Sequence, residues 1–181
     1  EEFNLGTTPT NKNTDRDTLP DGWEVENGRD SLVADYLVSA GEHNTCVIDD
    51  NGVSCWGFEG YQGSSPVPTL ENPKSIAHGR FHKCAIDSSG IVCWGNNTFG
   101  QTSVPDLINP TNISLGASHS CAIDDTGVVC WGYNSSNQTV VPELQNPIQI
   151  ATGAYHSCAL DENGVVCWGN NDDGQTDVPA L

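Results

Sequence analysis

The chain has 181 residues, eight Cys, no Met, and 24 Asp and Glu against six Lys and Arg, for a formal charge of -18. Such a charge repels phosphate backbones and anionic lipid alike, which argues against nucleic acid as a partner and leaves a cation such as calcium as the ion to look for. No stretch approaches the roughly 18 consecutive apolar residues of a membrane-spanning helix, and an even cysteine count confined to residues 46–167 points to an oxidising, extracellular or cell-surface compartment.

Residues 1–12, EEFNLGTTPTNK, are polar and aperiodic and suit a flexible arm. The leader that follows, residues 13–33, carries an ordered set of oxygens. Asn13, Asp15, Asp17, Asp21 and Glu24 stand at positions 1, 3, 5, 9 and 12 of a twelve-residue loop, with Leu19 at position 7 to offer a backbone carbonyl. Calcium is a hard cation that gathers roughly six to eight oxygens, and Glu24 can supply two of them. The segment NTDRDTLPDGWEVENGRD also resembles the calcium-binding repeats of thrombospondin type 3 and related bacterial surface proteins, whose pattern runs Asp-x-Asp-x-Asp-Gly-Leu-Pro-Asp-x-Trp-Glu. The resemblance places Asn13 at the first Asp, and Thr18 where the pattern has Gly, a departure that implies a strained turn and weaker binding. Asp30 and Asp35 are candidates to lend oxygens to a neighbouring site, and an acidic solvated linker is the competing reading.

From residue 34 to the end the chain repeats itself every 37 or 38 residues. The units, about 38–75, 76–112, 113–149 and 150–181, contain GEHNTCVIDDNGVSCWG, GRFHKCAIDSSGIVCWG, GASHSCAIDDTGVVCWG and GAYHSCALDENGVVCWG. Each reads as two short β-rich runs around a turn. Asp49, Asp87, Asp124 and Asp161 open that turn and Gly52, Gly90, Gly127 and Gly164 close it three residues later, the pattern of a type I turn, so these carboxylates are turn formers and not catalytic groups. Pro105, Pro110, Pro142 and Pro147 cannot sit in central strands and mark loops or an outer edge. No apolar period of 3.6 residues appears, so little helix is expected.

The pattern G-x-x-H-x-C-A-I-D-x-x-G-x-V-C-W-G-x-N-x-x-G-Q resembles the repeat of the regulator of chromosome condensation family. The resemblance implies an all-β fold, a β-propeller-like array of four repeats behind the short calcium-loop leader. Cysteines stand at two of that family's usual apolar positions, and four units are fewer than its common seven blades.

Within each unit the cysteines are nine positions apart: Cys46 and Cys55, Cys84 and Cys93, Cys121 and Cys130, Cys158 and Cys167. A symmetric two-residue turn sets each pair directly opposite, at disulfide spacing, whereas a bulged three-residue turn sets them on opposite faces. Structural zinc favours closer pairs, which the sequence lacks. His82, His119 and His156 precede the first Cys of their units by two; recurrence assigns them to a blade's own hydrogen bonding and holds them far from one another. Trp56, Trp94, Trp131 and Trp168 recur likewise and read as packing between blades, with each indole N–H on a backbone acceptor.

No nucleophile elbow, phosphate loop or isolated carboxylate pair is present, so a binding module is expected ahead of an enzyme. A binding face is built where the units differ, in FEGYQGSS, NNTFGQTS, YNSSNQTV and NNDDGQTD after each Trp-Gly. Phe58, Tyr61, Phe99 and Tyr133 lie there and are the candidate contacts to a protein or a glycan. Sequons at Asn96, Asn112, Asn134 and Asn137 are possible glycosylation positions. The other expectation is structural: the last unit stops at Val178-Pro179-Ala180-Leu181, and Ala34 to Val38 complement it, so the junction closes within one chain or passes head-to-tail to the next.

Overall fold

The computed structural model describes residues 37–42, 44–49, 52–57 and 66–180. They form twelve strands and, among the described residues, no helix. The strands are β1 Leu37–Ala40, β2 Asn44–Asp49, β3 Gly52–Gly57, β4 Ser75–His78, β5 His82–Asp87, β6 Gly90–Gly95, β7 Asn112–Leu115, β8 His119–Asp124, β9 Gly127–Gly132, β10 Gln149–Thr152, β11 His156–Asp161 and β12 Gly164–Gly169. Consecutive triplets make four antiparallel three-stranded sheets, one per unit.

The hairpin of each sheet follows from its turn chemistry. In the second unit Asp87 pairs with Gly90, leaving a two-residue loop. The Asp87 carboxylate accepts from the Ser89 amide and hydroxyl, and Gly90 takes a φ of 124° that other residues rarely adopt. Asp124 and Asp161 bond the Thr126 and Asn163 amides in the same way. The symmetric turn then sets Cys46 opposite Cys55, Cys84 opposite Cys93, Cys121 opposite Cys130 and Cys158 opposite Cys167. All four pairs are disulfide-bonded, with Cα atoms 4.0 to 4.1 Å apart, the close approach of a non-hydrogen-bonded antiparallel pair.

The second oxygen of three turn aspartates binds outside the turn. Asp87 accepts from the Glu71 amide at 2.9 Å, Asp124 from Ile108 at 2.9 Å and Asp161 from Gln145 at 2.8 Å. Each aspartate therefore pins the Pro-rich segment entering its sheet. The residue after that anchor, Asn72, Asn109 or Asn146, has a φ of 47 to 51° and precedes Pro. Asn tolerates this left-handed conformation better than most side chains, and Asn109 and Asn146 add bonds to Asp125 and Glu162.

Successive sheets stack through their first strands, β1 on β4, β4 on β7 and β7 on β10, with β2, β5 and β8 also packing on the first strand of the next sheet. The core lies in these seams: Cys121, Ile123, Ile150, Ala159 and Trp168 are buried together, and Val141 and Leu144 of the connecting segment pack against them. Burying one such large side chain stabilises by roughly 1.5–3 kcal/mol. The array is an open arc. Among the described residues no strand of the first sheet packs extensively on the fourth, and Val38 and residues 178–180 are exposed. The described parts of the expected intrachain junction thus do not pack extensively on each other.

Candidate functional site

Two arrangements are built from the recurring residues: a set of bonds that joins units, and a loop face that those bonds hold still.

The joining bonds centre on a buried glutamine in the loop after the Trp-Gly of the second and third units. The Gln101 carbonyl, at the end of the second unit, accepts from the indole N–H of Trp131 at 3.0 Å and the hydroxyl of Ser120 at 2.8 Å, both in the third unit. Gln138 does the same for Trp168 and Ser157 of the fourth, at 3.0 and 3.1 Å. His82 Nε2 lies 2.8 Å from Ser120 Oγ, and His119 Nε2 lies 3.0 Å from Ser157 Oγ. Because each serine hydroxyl hydrogen goes to a glutamine carbonyl, its oxygen is left to accept. The histidines are therefore the neutral tautomer that carries its proton on Nε2. Their Nδ1 atoms are buried without a partner.

Burial, and next the charge of the following histidine, push His82 and His119 down from 6.5 to about 4. This corrects the expectation drawn from recurrence. The histidines bond the next sheet, not their own, and stand in file close enough to influence one another. Gly79 and Gly116 complete the seam, since a Cβ on either would collide with its own unit's histidine ring and with the carbonyl of the next unit's glycine.

Trp131 and Trp168 thus meet the expected backbone acceptors, whereas Trp94 is buried with its indole N–H unpartnered and Trp56 is exposed.

The same glutamines shape the loops. Gln101 accepts the Phe99 amide through Oε1 and donates to Asn96 Oδ1, each at 2.8 Å, while Asn97 accepts the Thr102 amide. Ser136 and Asp173 amides bond Gln138 and Gln175 in the same way. Asn137, with a φ of 60°, replaces Gly100 and Gly174 at the left-handed position. A fixed frame therefore presents the residues that vary.

Among these, Phe99 stacks edge-on against Tyr133 of the next unit, with centroids 4.7 Å apart, and Tyr133 lies 6.3 Å from Tyr155. Phe99 and Tyr155 are exposed and Tyr133 is half-buried. The row spans three units at the end of the sheets where first strands turn into second strands. Tyr155 was not among the sequence candidates. It lies in GAYH, one residue before a recurring histidine, and the signal was its alternation with Phe81 and Ser118 at equivalent positions. Close to the sheet-to-sheet axis, the Gly41, Gly79, Gly116 and Gly153 turns of all four units line a cleft of about 380 Å³, beside an exposed Glu42–Arg80 ion pair of 2.7 Å. His78 borders this cleft, and burial with the nearby Lys83 charge lowers it to about 4.

Phe58, Tyr61 and the calcium set Asn13, Asp15, Asp17, Leu19, Asp21 and Glu24 lie outside the described residues. Among the described residues no group of three His, Cys, Asp or Glu is placed to hold a metal ion. Of the sequon residues, Asn96 and Asn134 accept loop amides, Asn112 opens β7, and Asn137 is exposed.

Residues 74–101, 111–138 and 148–175 match the model of the regulator of chromosome condensation (RCC1) repeat. Three of the four units thus match that repeat. No curated protein matches the chain. Similar solved structures include the ectodomain of the Physcomitrella patens receptor kinase CR4, at 26% identity over 81% of this chain and 44% of that one, with a TM-score of 0.66. The CRINKLY WD40 ectodomain of the Arabidopsis thaliana receptor kinase ACR4 is 28% identical over 73% and 48%, with a TM-score of 0.59. Prp20p from Saccharomyces cerevisiae, described with its binding to Gsp1p and histones, shares the fold at 19% identity, with a TM-score of 0.69 over 82% and 48%. The chain spans less than half the length of each of these, and its four sheets are blade repeats like those of these propellers.

Proposed function

We propose that the chain is an extracellular or cell-surface interaction module that binds a protein or glycan ligand through the loop end of its blades. The observation that carries this reading is the row Phe99, Tyr133 and Tyr155, three aromatic rings from three blades, the first two on loops fixed by the buried Gln101 and Gln138. Aromatic side chains with few rotatable bonds suit such a face, because they bury area at low entropic cost and can stack on a sugar ring or a partner's side chain. Four disulfides and the likeness to two plant receptor ectodomains support the extracellular setting. Protein binding by a structural neighbour such as Prp20p supports a protein ligand.

The double variant Phe99→Ala, Tyr133→Ala keeps its fold and loses binding to the ligand found on a glycan or surface-protein array. Unchanged binding sinks this face. As part of the same reading, the leader binds calcium through Asn13, Asp15, Asp17, the Leu19 carbonyl, Asp21 and Glu24 and braces the entry to the first blade. Titration calorimetry of the intact chain checks it: heat with calcium that disappears in Asp15→Asn, Glu24→Gln is expected, and no heat removes the calcium role.

A further inference from the structure

The turn between the first and second strands of a blade carries Arg80-Phe81 in the second unit, Ala117-Ser118 in the third and Ala154-Tyr155 in the fourth. One recurring bond makes these positions equivalent: the amides of Asn96, Tyr133 and Asn170 donate to the carbonyls of Phe81, Ser118 and Tyr155 at 2.9, 2.8 and 2.9 Å. In the second unit the Arg80 guanidinium lies over the Phe81 ring, 5.1 Å from its centroid, and its Nε is 2.7 Å from the Glu42 carboxylate. A guanidinium is thus clasped between an aromatic ring and a carboxylate. In the fourth unit the ring is kept, as the exposed Tyr155, and Ala154 stands in place of the arginine.

The surroundings of Tyr155 supply the rest of such a clasp. The Tyr133 ring stands 6.3 Å away, at an interplanar angle of 61°. Asn170, whose amide holds the Tyr155 carbonyl, donates through Nδ2 to Asp172 Oδ2 at 2.7 Å. Asp172 and Asp173 are both exposed, where the second unit has Thr98 and Phe99 and the third has Ser135 and Ser136. Among the described residues the Lys and Arg are Lys74, Arg80 and Lys83. Lys83 is buried, Arg80 is engaged by Glu42, and Lys74 lies at the opposite end of its blade, beside the β5–β6 turn.

We propose that the ligand of this face is a protein segment that presents arginine, one guanidinium seating on Tyr155 beside Tyr133 and meeting the carboxylates of Asp172 and Asp173. This rests on the reading of the loop end as the binding face and names the chemistry of its partner. Arginine fits better than lysine, because its planar, weakly hydrated group stacks on a ring while its N–H fork meets a carboxylate, as Arg80 does on Phe81 and Glu42. The formal charge of -18 draws a cationic segment to the chain, and the rings decide where it lands.

Calorimetric titration of the intact chain with capped hexa-arginine, in about 0.15 M salt to screen diffuse attraction, should show tighter binding than with capped hexalysine of equal charge. Tyr155→Leu keeps the charge and removes the ring, and should weaken hexa-arginine binding at least about fivefold, whereas Tyr155→Phe should bind as the parent does. Asp172→Asn, Asp173→Asn should weaken it by about threefold or more. The control Asp106→Asn, Glu143→Gln removes the same charge at exposed positions of the Pro-rich segments and should have a smaller effect. Absence of hexa-arginine binding overturns the proposal, as does equal affinity in the parent and Tyr155→Leu, or equal weakening by Tyr155→Phe and Tyr155→Leu. Should Tyr155→Leu not fold, the two acidic pairs decide, and equal effects from them overturn it. If the array ligand lost in Phe99→Ala, Tyr133→Ala is an uncharged glycan and hexa-arginine stays unbound, the arginine partner falls while the binding face stands.

Discussion

The first and third blades share their cysteines, turn residues and Trp-Gly pair but have different surroundings. In the third, Trp131 and Ser120 reach back to Gln101, and His119 reaches forward to Ser157. In the first, Trp56 meets solvent. The repeated Gly, His, Ser, Trp and Gln are thus interface residues more than blade residues: the blade folds through its turn and disulfide, and the signature joins it to its neighbours. Stability in such an array is approximately the sum of unit terms and nearest-neighbour terms. Substitutions should accordingly separate into those whose cost depends on position in the arc and those whose cost does not.

Tryptophan gives the largest contrast. Trp131→Ala leaves a cavity in a seam and takes from the Gln101 carbonyl one of its two donors, and should cost about 3–5 kcal/mol in denaturant unfolding. Trp56→Ala in the monomer should change stability by less than about 0.5 kcal/mol. Equal losses would break the comparison, because the same residue would then be serving its own blade in both places.

The disulfides supply the opposite control. Replacing Cys121 and Cys130 together by Ala removes a link across a nine-residue separation, which should cost roughly 2–3 kcal/mol in the chain-entropy description. Replacing Cys46 and Cys55 should cost the same within about 1 kcal/mol, since this contact is internal to a blade. A loss confined to the third blade would mean that the bridge acts through the seam.

Acid should act on the seams before the turns. His82 and His119 have folded values near 4, below the unfolded 6.5, so the unfolded chain binds more protons between those limits. Stability is complete above pH 6.5 and falls as pH drops toward 4, by about 2 kcal/mol per histidine at pH 5. In His82→Gln, His119→Gln the slope of stability with pH over this window should flatten; an unchanged slope would place the proton uptake elsewhere. The turn aspartates act at lower pH. Burial raises Asp87 and Asp124, but bonds from the entering segment and the turn outweigh it, and amides of Gln145 and Asn163 lower Asp161. Their contribution is present above the unfolded 3.8 and is lost as pH falls through the depressed folded values.

The sequence made the within-blade structure legible because its determinants are local. Asp87 and Gly90 dictate the loop length, the loop length dictates register, and register pairs Cys84 with Cys93. What crosses a seam was less legible. The interval from His82 to Ser120 is 38 residues, so nothing in the local pattern says that the imidazole serves the next blade. The Phe99–Tyr133–Tyr155 row was half legible for the same reason: two rings lie in the segment where units differ most, and the third lies in a turn adjacent only in space. Whether the array closes within one chain or between chains was not legible, because complementary sequence segments do not say whether the arc brings its ends together.

The smallest effect concerns the segments that enter the blades. Asn109 combines a φ of 51° with a side-chain bond to Asp125 at 2.6 Å on the exposed surface. Surface contacts of this kind stabilise by little, so the left-handed conformation should dominate the outcome. Asn109→Gly loses the bond and relieves the backbone, and should lie within about 0.5 kcal/mol of the parent, whereas Asn109→Ala loses the bond while keeping the strain and should cost about 1 kcal/mol. Asn72 and Asn146 have the same geometry at the second and fourth blades, so the Gly-to-Ala difference should recur there with the same sign. Chemical denaturation of the six variants checks this. If Gly proves as costly as Ala at Asn109, the hydrogen bond to Asp125 is what selects asparagine, and the entering segment is held by its side chains more than by its backbone.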